Sequence, residues 1–397
     1  MGGVTMAKIS RGTVVIISSV PWHFTWQRHH DIAKGLSERG YEIIFVDPMP
    51  KRLPRLSEWK RVLGRVLGKS NLGGVFTQEV PDGIRVISPK VLPELKGKIW
   101  YWLRWFNSML FIPKLARLIR SYAKEPVIVI NYLPIRSSLA LQRMLRPTFS
   151  IYDCVLDWDK ILSARNSLVI EHELIGTVDL ALADSPYLYE KIKAMAPSEK
   201  KVERLLPGVH FDDFSDIRNF SCNRKEEGRI RACYFGAIGP HLDINLLNLV
   251  ADHYELYLIG PIENRLPSSL KSNPNVKIIP PVAYKDLIDV LKAVDVLLLP
   301  YNPNFPGAHA TIPAKTFQCL ATGKPTVVFG LEALREFDDV FYIANNHEEF
   351  IQMIKLSIRD WGNRRSKALQ LAKRQDWKEL IAFLESQWLS LVGGPRS

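Results

Sequence analysis

The chain has 397 residues and a formal net charge of +12, with 47% hydrophobic and 24% charged residues. This composition excludes a disordered or fibrous chain, and at roughly 150 residues per domain the length calls for two or three domains with cores of their own. The basic excess points to an anionic partner: nucleic acid, a phosphorylated small molecule or a membrane surface.

Four cysteines, at 154, 222, 233 and 319, form no Cys-x-x-Cys pair and no cluster with histidine. Neither a zinc ribbon nor a disulfide framework is expected. Near the start, the apolar run 14–20 contains Ser18 and Ser19 and stops at Pro21. It is too short for a signal peptide, and far short of the roughly 20 residues that span a bilayer. A cytoplasmic protein without a transmembrane helix is expected.

In chain order, residues 13–18 are a continuous apolar run, the pattern of a strand buried on both faces of a parallel sheet. Ile32 and Leu36 then mark a helix that stops at Arg39-Gly40, and 42–46 reads as a second strand, completing a βαβ unit. Further strands are predicted over 127–130, 148–152, 180–183 and 202–206. Residues 212–228 turn polar and Asn/Asp-rich, which marks a linker. The alternation then restarts, with strands over 231–235, 255–259, 276–279, 294–299 and 325–329. Helices are expected between them over 242–251, 285–292 and 313–321. The tail carries Trp377, Leu380, Ile381, Leu384, Trp388 and Leu391 at helical spacing.

The expected architecture is α/β: two doubly wound, Rossmann-like domains facing a cleft, closed by a C-terminal helix. The first, acceptor-side domain covers 1–211, and a linker follows over 212–228. The second domain covers 229–375, and the helix at 376–397 crosses back to the first. In such sheets ligands bind beyond the carboxyl ends of the strands, so the turns there are where chemistry is expected.

The stretch from Pro313 to Val328 (Pro-Ala-Lys-Thr-Phe-Gln-Cys-Leu-Ala-Thr-Gly-Lys-Pro-Thr-Val-Val) is the most informative. Pro313 suits the first turn of a helix and Thr311 its cap, and Gly307 in the preceding loop lets backbone approach closely. Free N–H groups and the dipole at such a start favour a phosphate. Lys315 in the first turn opposes that dipole unless an anion is present, and Gln318 one turn on could hydrogen-bond sugar hydroxyls. The plain alternative is an amphipathic helix with a solvated Lys and Gln.

With the strand ending Leu298-Leu299-Pro300 before it, this stretch resembles the donor-binding segment of GT-B glycosyltransferases, especially family 4. Trp26-Gln27-Arg28-His29-His30, Leu206-Pro207-Gly208-Val209 and Tyr234-Phe235-Gly236 follow the same order, so the resemblance runs from about Thr13 to Leu391. Taken whole, the chain is similar to bacterial cell-wall glycosyltransferases of teichuronic acid biosynthesis. The resemblance implies a nucleotide-sugar donor on the second domain and an acceptor on the first, with Gly236, Gly239, His309, Thr311, Lys315 and Gln318 on the donor side. The paired glutamates common in the family fall at Gln318 and Ala310 here. The usual Arg and Lys after the first strand of the second domain are replaced by a segment whose one cationic candidate is His241.

On the first domain, Gln27 and Arg28 are candidates to contact the acceptor or a phosphate. His30 is a candidate to activate a hydroxyl and Asp153 to meet the acceptor hydroxyl. The alternative is a helix start with a packed Trp26 and surface polar groups. Asp157-Trp158-Asp159 formally matches the metal-binding Asp-x-Asp of GT-A enzymes. A second complete α/β half argues instead for a polar loop, and neither a metal nor any other cofactor is expected. No GxxxxGK[ST] and no GxGxxG after the first strand is present, which disfavours an ATPase or a dinucleotide enzyme.

The charge itself has an address. Residues 51–70 carry seven cations against Glu58, and 94–124 carry seven against Glu94, so two segments account for the whole excess. The first carries Trp59 in an apolar stripe and the second several aromatics, and Trp59, Lys60, Arg61, Trp102, Arg104 and Trp105 are the candidates to bind an anionic membrane surface. No nucleic-acid motif accompanies them, and no nucleic-acid partner is expected. The expected function is sugar transfer from a nucleotide diphosphate-sugar to a growing, lipid-linked cell-wall polysaccharide, on the inner face of the cell membrane. A non-catalytic sugar- or nucleotide-binding subunit and a GT-B epimerase are the alternatives.

Overall fold

A computed structural model describes residues 10–24, 26–50, 79–92, 101–162, 165–219, 229–263 and 266–392. Contacts divide the chain into two units: Met1–Ala183 with Tyr189–Arg204 and Ile381–Ser397, and Asp184–Leu188 with Leu205–Leu380.

The first unit is built on β1 (Thr13–Ile17), β2 (Glu42–Val46), β3 (Ile84–Ile87), β4 (Val127–Asn131), β5 (Phe149–Cys154), β6 (Leu180–Ala183) and β7 (Lys201–Arg204). Among the described residues these form one sheet of order β3-β2-β1-β4-β5-β6-β7, parallel throughout. The central strands Thr-Val-Val-Ile-Ile and Val-Ile-Val-Ile-Asn are buried at every residue, which is why a continuous apolar run marked them. The edge strands β3 and β7 are half-exposed and mixed in composition.

The second unit is built on β8 (Arg231–Phe235), β9 (Glu255–Ile259), β10 (Val276–Ile279), β11 (Val296–Pro300), β12 (Thr326–Phe329) and β13 (Tyr342–Ile343). Its order is β10-β9-β8-β11-β12-β13, again parallel. In both sheets the order reverses beside the first strand, between β1 and β4 and between β8 and β11, which is where doubly wound sheets take their ligands. A 28-residue helix, His347–Arg374, covers the second sheet. The Asn346 side chain accepts from the Glu349 N–H at 2.8 Å, and acids open the helix while Lys373 and Arg374 close it, in step with its dipole.

The structure corrects the linker. Residues 212–219 are no free tether: Phe211–Phe214 is a 3-10 turn and Ser215–Asn219 a short helix, and Phe214 and Ile217 lie in the core of the second unit. Among the polar residues, Phe211, Phe214 and Ile217 recur every three positions and so share one face. The N-terminal part of the first unit accordingly ends earlier than 211, at Arg204, and Leu205–Leu380 belongs to the second.

The tail forms a helix, Trp377–Val392, that begins in the second unit and is assigned to the first from Ile381 on. At its start, Val209 and Asp376 form a parallel bridge, with Trp377 N–H donating to Val209 O at 3.0 Å. In the first unit, Arg39 reaches Glu385 at 2.6 Å and Arg11 joins the same carboxylate. Trp388 is fully buried against Phe149, and its indole N–H donates to the Tyr41 hydroxyl at 3.0 Å. Trp388→Phe is expected to lower the stability of the first unit by about 1–3 kcal/mol, from the lost hydrogen bond and the void, measured as a shift of the urea midpoint.

Among the described residues no helix is long and apolar enough to cross a membrane.

Candidate active site

In the second unit, side chains converge where β8, β9 and β11 end. Gly236 follows β8 with φ 122°, and Gly260 follows β9 with φ 137°. A Cβ on Gly260 would overlap the Gly236 carbonyl, and a Cβ on Gly236 would overlap the Lys315 ammonium. Both positions therefore need a residue without a side chain, for conformation and for space. Into that gap Lys315 extends, half-buried. Its Nζ donates to the Tyr234 hydroxyl at 2.6 Å and lies 4.1 Å from the centre of that ring. The Tyr234 hydroxyl donates on to Ala237 O at 2.8 Å, and His241 Nε2 lies 3.2 Å from it. Glu263 stands 3.9 Å beyond, at His241 Nδ1.

Desolvation dominates the electrostatics. It pushes the Lys315 pKa down to about 7, against the opposing pull of Cys319 and Glu263. Burial, with Lys315 adding to it, lowers His241, so its imidazole is held neutral. The Tyr234 and Tyr301 phenols are pushed well up by burial and stay protonated. The result is an ammonium only partly charged near pH 7.

The helix expected from Pro313 begins later. It spans Thr316–Ala321, Lys315 is its N-cap residue, and residues 313–316 form a turn closed by Thr316 N–H to Pro313 O at 2.9 Å. At six residues its dipole is weak, so of the two features expected to favour a phosphate there, Lys315 is the one that remains. Thr311 is not the N-cap of that helix: it ends the 3-10 turn Ala308–Ala310, and its hydroxyl donates to Gly307 O at 2.8 Å. His309 lies half-buried in that turn, and Gln318 is half-buried one turn past Lys315. At Gly239, a side chain would overlap Glu263.

In the first unit the polar groups gather beyond β1, β4 and β5. The helix Arg28–Glu38 starts here. Arg28 grips Asp153 with two hydrogen bonds of 2.8 Å, from Nε and from Nη2, and both residues are buried. His29 Nε2 lies 3.0 Å from the Ser19 hydroxyl, with the imidazole centred 3.8 Å from the Tyr132 ring.

Two assignments change. His30 is fully buried; Nδ1 accepts from the Gln27 N–H at 3.1 Å and Nε2 lies 3.0 Å from Trp22 O, while its ring packs on Phe45. Burial lowers its pKa, so it is a neutral residue that anchors the helix start and cannot activate a hydroxyl from there. Asp153 has no exposure and is committed to Arg28, so it positions that guanidinium and meets no acceptor. Gln27 stays half-buried at the helix start, and Trp26 donates its indole N–H to Asp31 at 2.7 Å.

Asp157 and Asp159 hold Lys191 at 2.9 and 2.8 Å, with Glu171 at 3.4 Å. Glu171 also accepts from Tyr152 at 2.5 Å, and burial raises its pKa. The Asp-x-Asp is thus one side of an ion cluster that pins Lys191. Of the surface candidates, Trp102 (67% exposed) and Trp105 (44%) stand open on the helix Tyr101–Phe106, which also carries Arg104. Trp59, Lys60 and Arg61 lie outside the described residues.

Tyr301 and Glu263 were not named by sequence reasoning, and Tyr234 and His29 entered it only as members of longer motifs, with no role of their own. A tyrosine in the buried part of β8 was the available signal.

Two parallel doubly wound units in tandem, each with a polar cluster at its strand reversal, make up the GT-B fold. The chain is similar to TuaH of Bacillus subtilis (strain 168), "Putative teichuronic acid biosynthesis glycosyltransferase TuaH", at 25% identity in an alignment 403 residues long that covers 92% of this chain and 94% of that one. No protein-family model matches. Among solved structures, sucrose-phosphate synthase of Thermosynechococcus elongatus superposes with a TM-score of 0.63 at 12% identity, covering 96% of this chain and 99% of that one. Anabaena HepE in complex with UDP and glucose gives 0.64 at 12% identity, covering 96% and 100%.

Gly236→Ala is expected to displace Lys315 and to lower stability by about 1–2 kcal/mol, from the overlap and the strained φ, measured as a shift of the urea midpoint.

Proposed function

We propose that the chain transfers a sugar from a nucleotide diphosphate-sugar, held by the second unit, to a growing cell-wall polysaccharide of teichuronic acid type. The acceptor is lipid-linked and meets the enzyme at the inner face of the cell membrane. The observation that carries the reading is Lys315, kept near neutrality in the cradle of Gly236 and Tyr234 at the strand reversal of the second sheet. TuaH and the UDP-bound HepE structure support it by similarity.

In this scheme the diphosphate settles against Lys315 and the nearby amides, which stabilise the charge that develops as the glycosidic bond to the donor breaks. No metal is needed for that step. Gln318 meets ribose hydroxyls. In the first unit, the half-buried Ser19 hydroxyl, backed by His29, is where an acceptor hydroxyl would be oriented.

A second reading is favoured by one observation: Gln318 and Ala310 stand where the related enzymes carry glutamates, as in a non-catalytic partner subunit that binds the nucleotide-sugar. Purified protein screened against nucleotide-sugars by thermal shift, then assayed with a lipid-linked acceptor, separates these. Transfer establishes the enzyme. Donor binding without transfer or hydrolysis leaves the binding subunit, and conversion of the donor alone identifies an epimerase.

A further inference from the structure

On the first unit, apart from both polar clusters, a pocket of about 730 Å³ opens between the helices Ile112–Tyr122 and Arg136–Leu145. Four arginines line it: Arg120, Arg136, Arg143 and Arg146. Arg143 pairs with Glu173 at 2.8 Å, so the lining keeps an excess of positive charge. Arg120 is fixed in place, its Nε directed at Met144 O at 3.4 Å and its Nη2 at Leu145 O. Arg146 follows its helix in the left-handed region, at φ 43°. That conformation is unfavourable for a residue with a side chain, by roughly 1 kcal/mol. A glycine would relieve it, but would remove a guanidinium from the pocket rim.

Ser108, in the pocket wall, belongs to the turn Asn107–Phe111. That turn exposes Met109 (64%) and Leu110 (42%) and follows the exposed Trp102, Trp105 and Phe106. A pocket of guanidinium groups beside a band of uncovered aromatic and aliphatic side chains has the two-sided chemistry of an anionic amphiphile. Guanidinium forks match phosphate oxygens, and the band suits the interface just above acyl chains.

We propose that this pocket takes the phosphate head group of an anionic lipid, with the exposed band laid on the membrane beside it. It deepens the membrane-face part of the proposed function, and rests on that part alone, since no residue of the donor or acceptor clusters is involved.

The test is co-sedimentation with vesicles of phosphatidylcholine, with and without phosphatidylglycerol, for the wild type and an Arg136→Gln/Arg146→Gly variant. The wild type is expected to bind the phosphatidylglycerol vesicles at low salt and to release as salt rises. The variant is expected to lose about 30-fold in affinity, at roughly 1 kcal/mol per cation. Its thermal midpoint should not fall, because the glycine relaxes the backbone at 146. Its hydrolysis of a nucleotide-sugar without acceptor should match the wild type, which separates failure of the pocket from failure of the donor site. Equal binding by variant and wild type, equal binding to vesicles of both compositions, or binding of inorganic pyrophosphate to the pocket without vesicle binding would each overturn the proposal.

Discussion

Lys315→Met is expected to lower sugar transfer about 10²–10³-fold while leaving the fold intact. Methionine keeps the length of the stem against Tyr234 and Gly236 and removes the charge proposed to face a departing diphosphate. The effect should fall mainly on kcat, because the charge on the leaving diphosphate grows as its bond breaks. The wild-type protein carries a pH signature of the same residue. Desolvation holds the Lys315 pKa at about 7 in the folded chain, against an ordinary 10.5. Between those values the unfolded chain binds more protons than the folded one, so this group's contribution to stability improves as pH rises through that window. A bound diphosphate reverses the shift by restoring a partner for the ammonium. Affinity for uridine diphosphate should therefore fall as pH rises above 7, and binding there should take up about one proton. Calorimetry in two buffers of different ionisation enthalpy reads this directly. Uptake that persists in Lys315→Met would assign the proton to another group.

Arg28→Ala is expected to destabilise the first unit by about 3–5 kcal/mol, because the Asp153 carboxylate would stay buried without its two N–H donors. Asp153→Leu should do comparable harm by stranding the guanidinium. The double variant Arg28→Met/Asp153→Leu should recover most of the loss, since two apolar groups of similar volume leave no charge unpaired. Urea unfolding of the four proteins closes the cycle. Transfer by the stable double variant then decides whether Arg28 also touches a substrate phosphate: restored stability with activity still lost means contact, and full activity means a structural pair alone.

The parts of this molecule that could be read from sequence are those where burial is complete. β1, β4, β6 and β11 are apolar at nearly every position because both faces of these strands are buried. The edge strand β3 was passed over because one of its faces meets solvent and its composition is mixed. The helix His347–Arg374 was passed over too, since charged residues crowd its narrow buried stripe of Phe350, Ile354, Trp361 and Ala368.

The site divides the same way. Lys315 was visible as a cation out of place near a helix start. Its partners were not: Tyr234, Glu263 and Tyr301 lie beyond or within three separate strands, and only the order of the sheet brings them together. His29 and His30 are neighbours in sequence, and which of them reaches Ser19 and which packs on Phe45 depends on the phase of the helix, which the position of its start alone does not give.

The placement of Trp388 bears on how the protein is made. Domains released from a ribosome ordinarily fold in order, the earliest first. Here the first unit has its seven strands by Arg204, yet the indole that packs on Phe149 and binds Tyr41 arrives roughly 180 residues later. At about 5–20 residues per second, that surface waits roughly 10–40 s, and during synthesis the earlier half is completed after the later one.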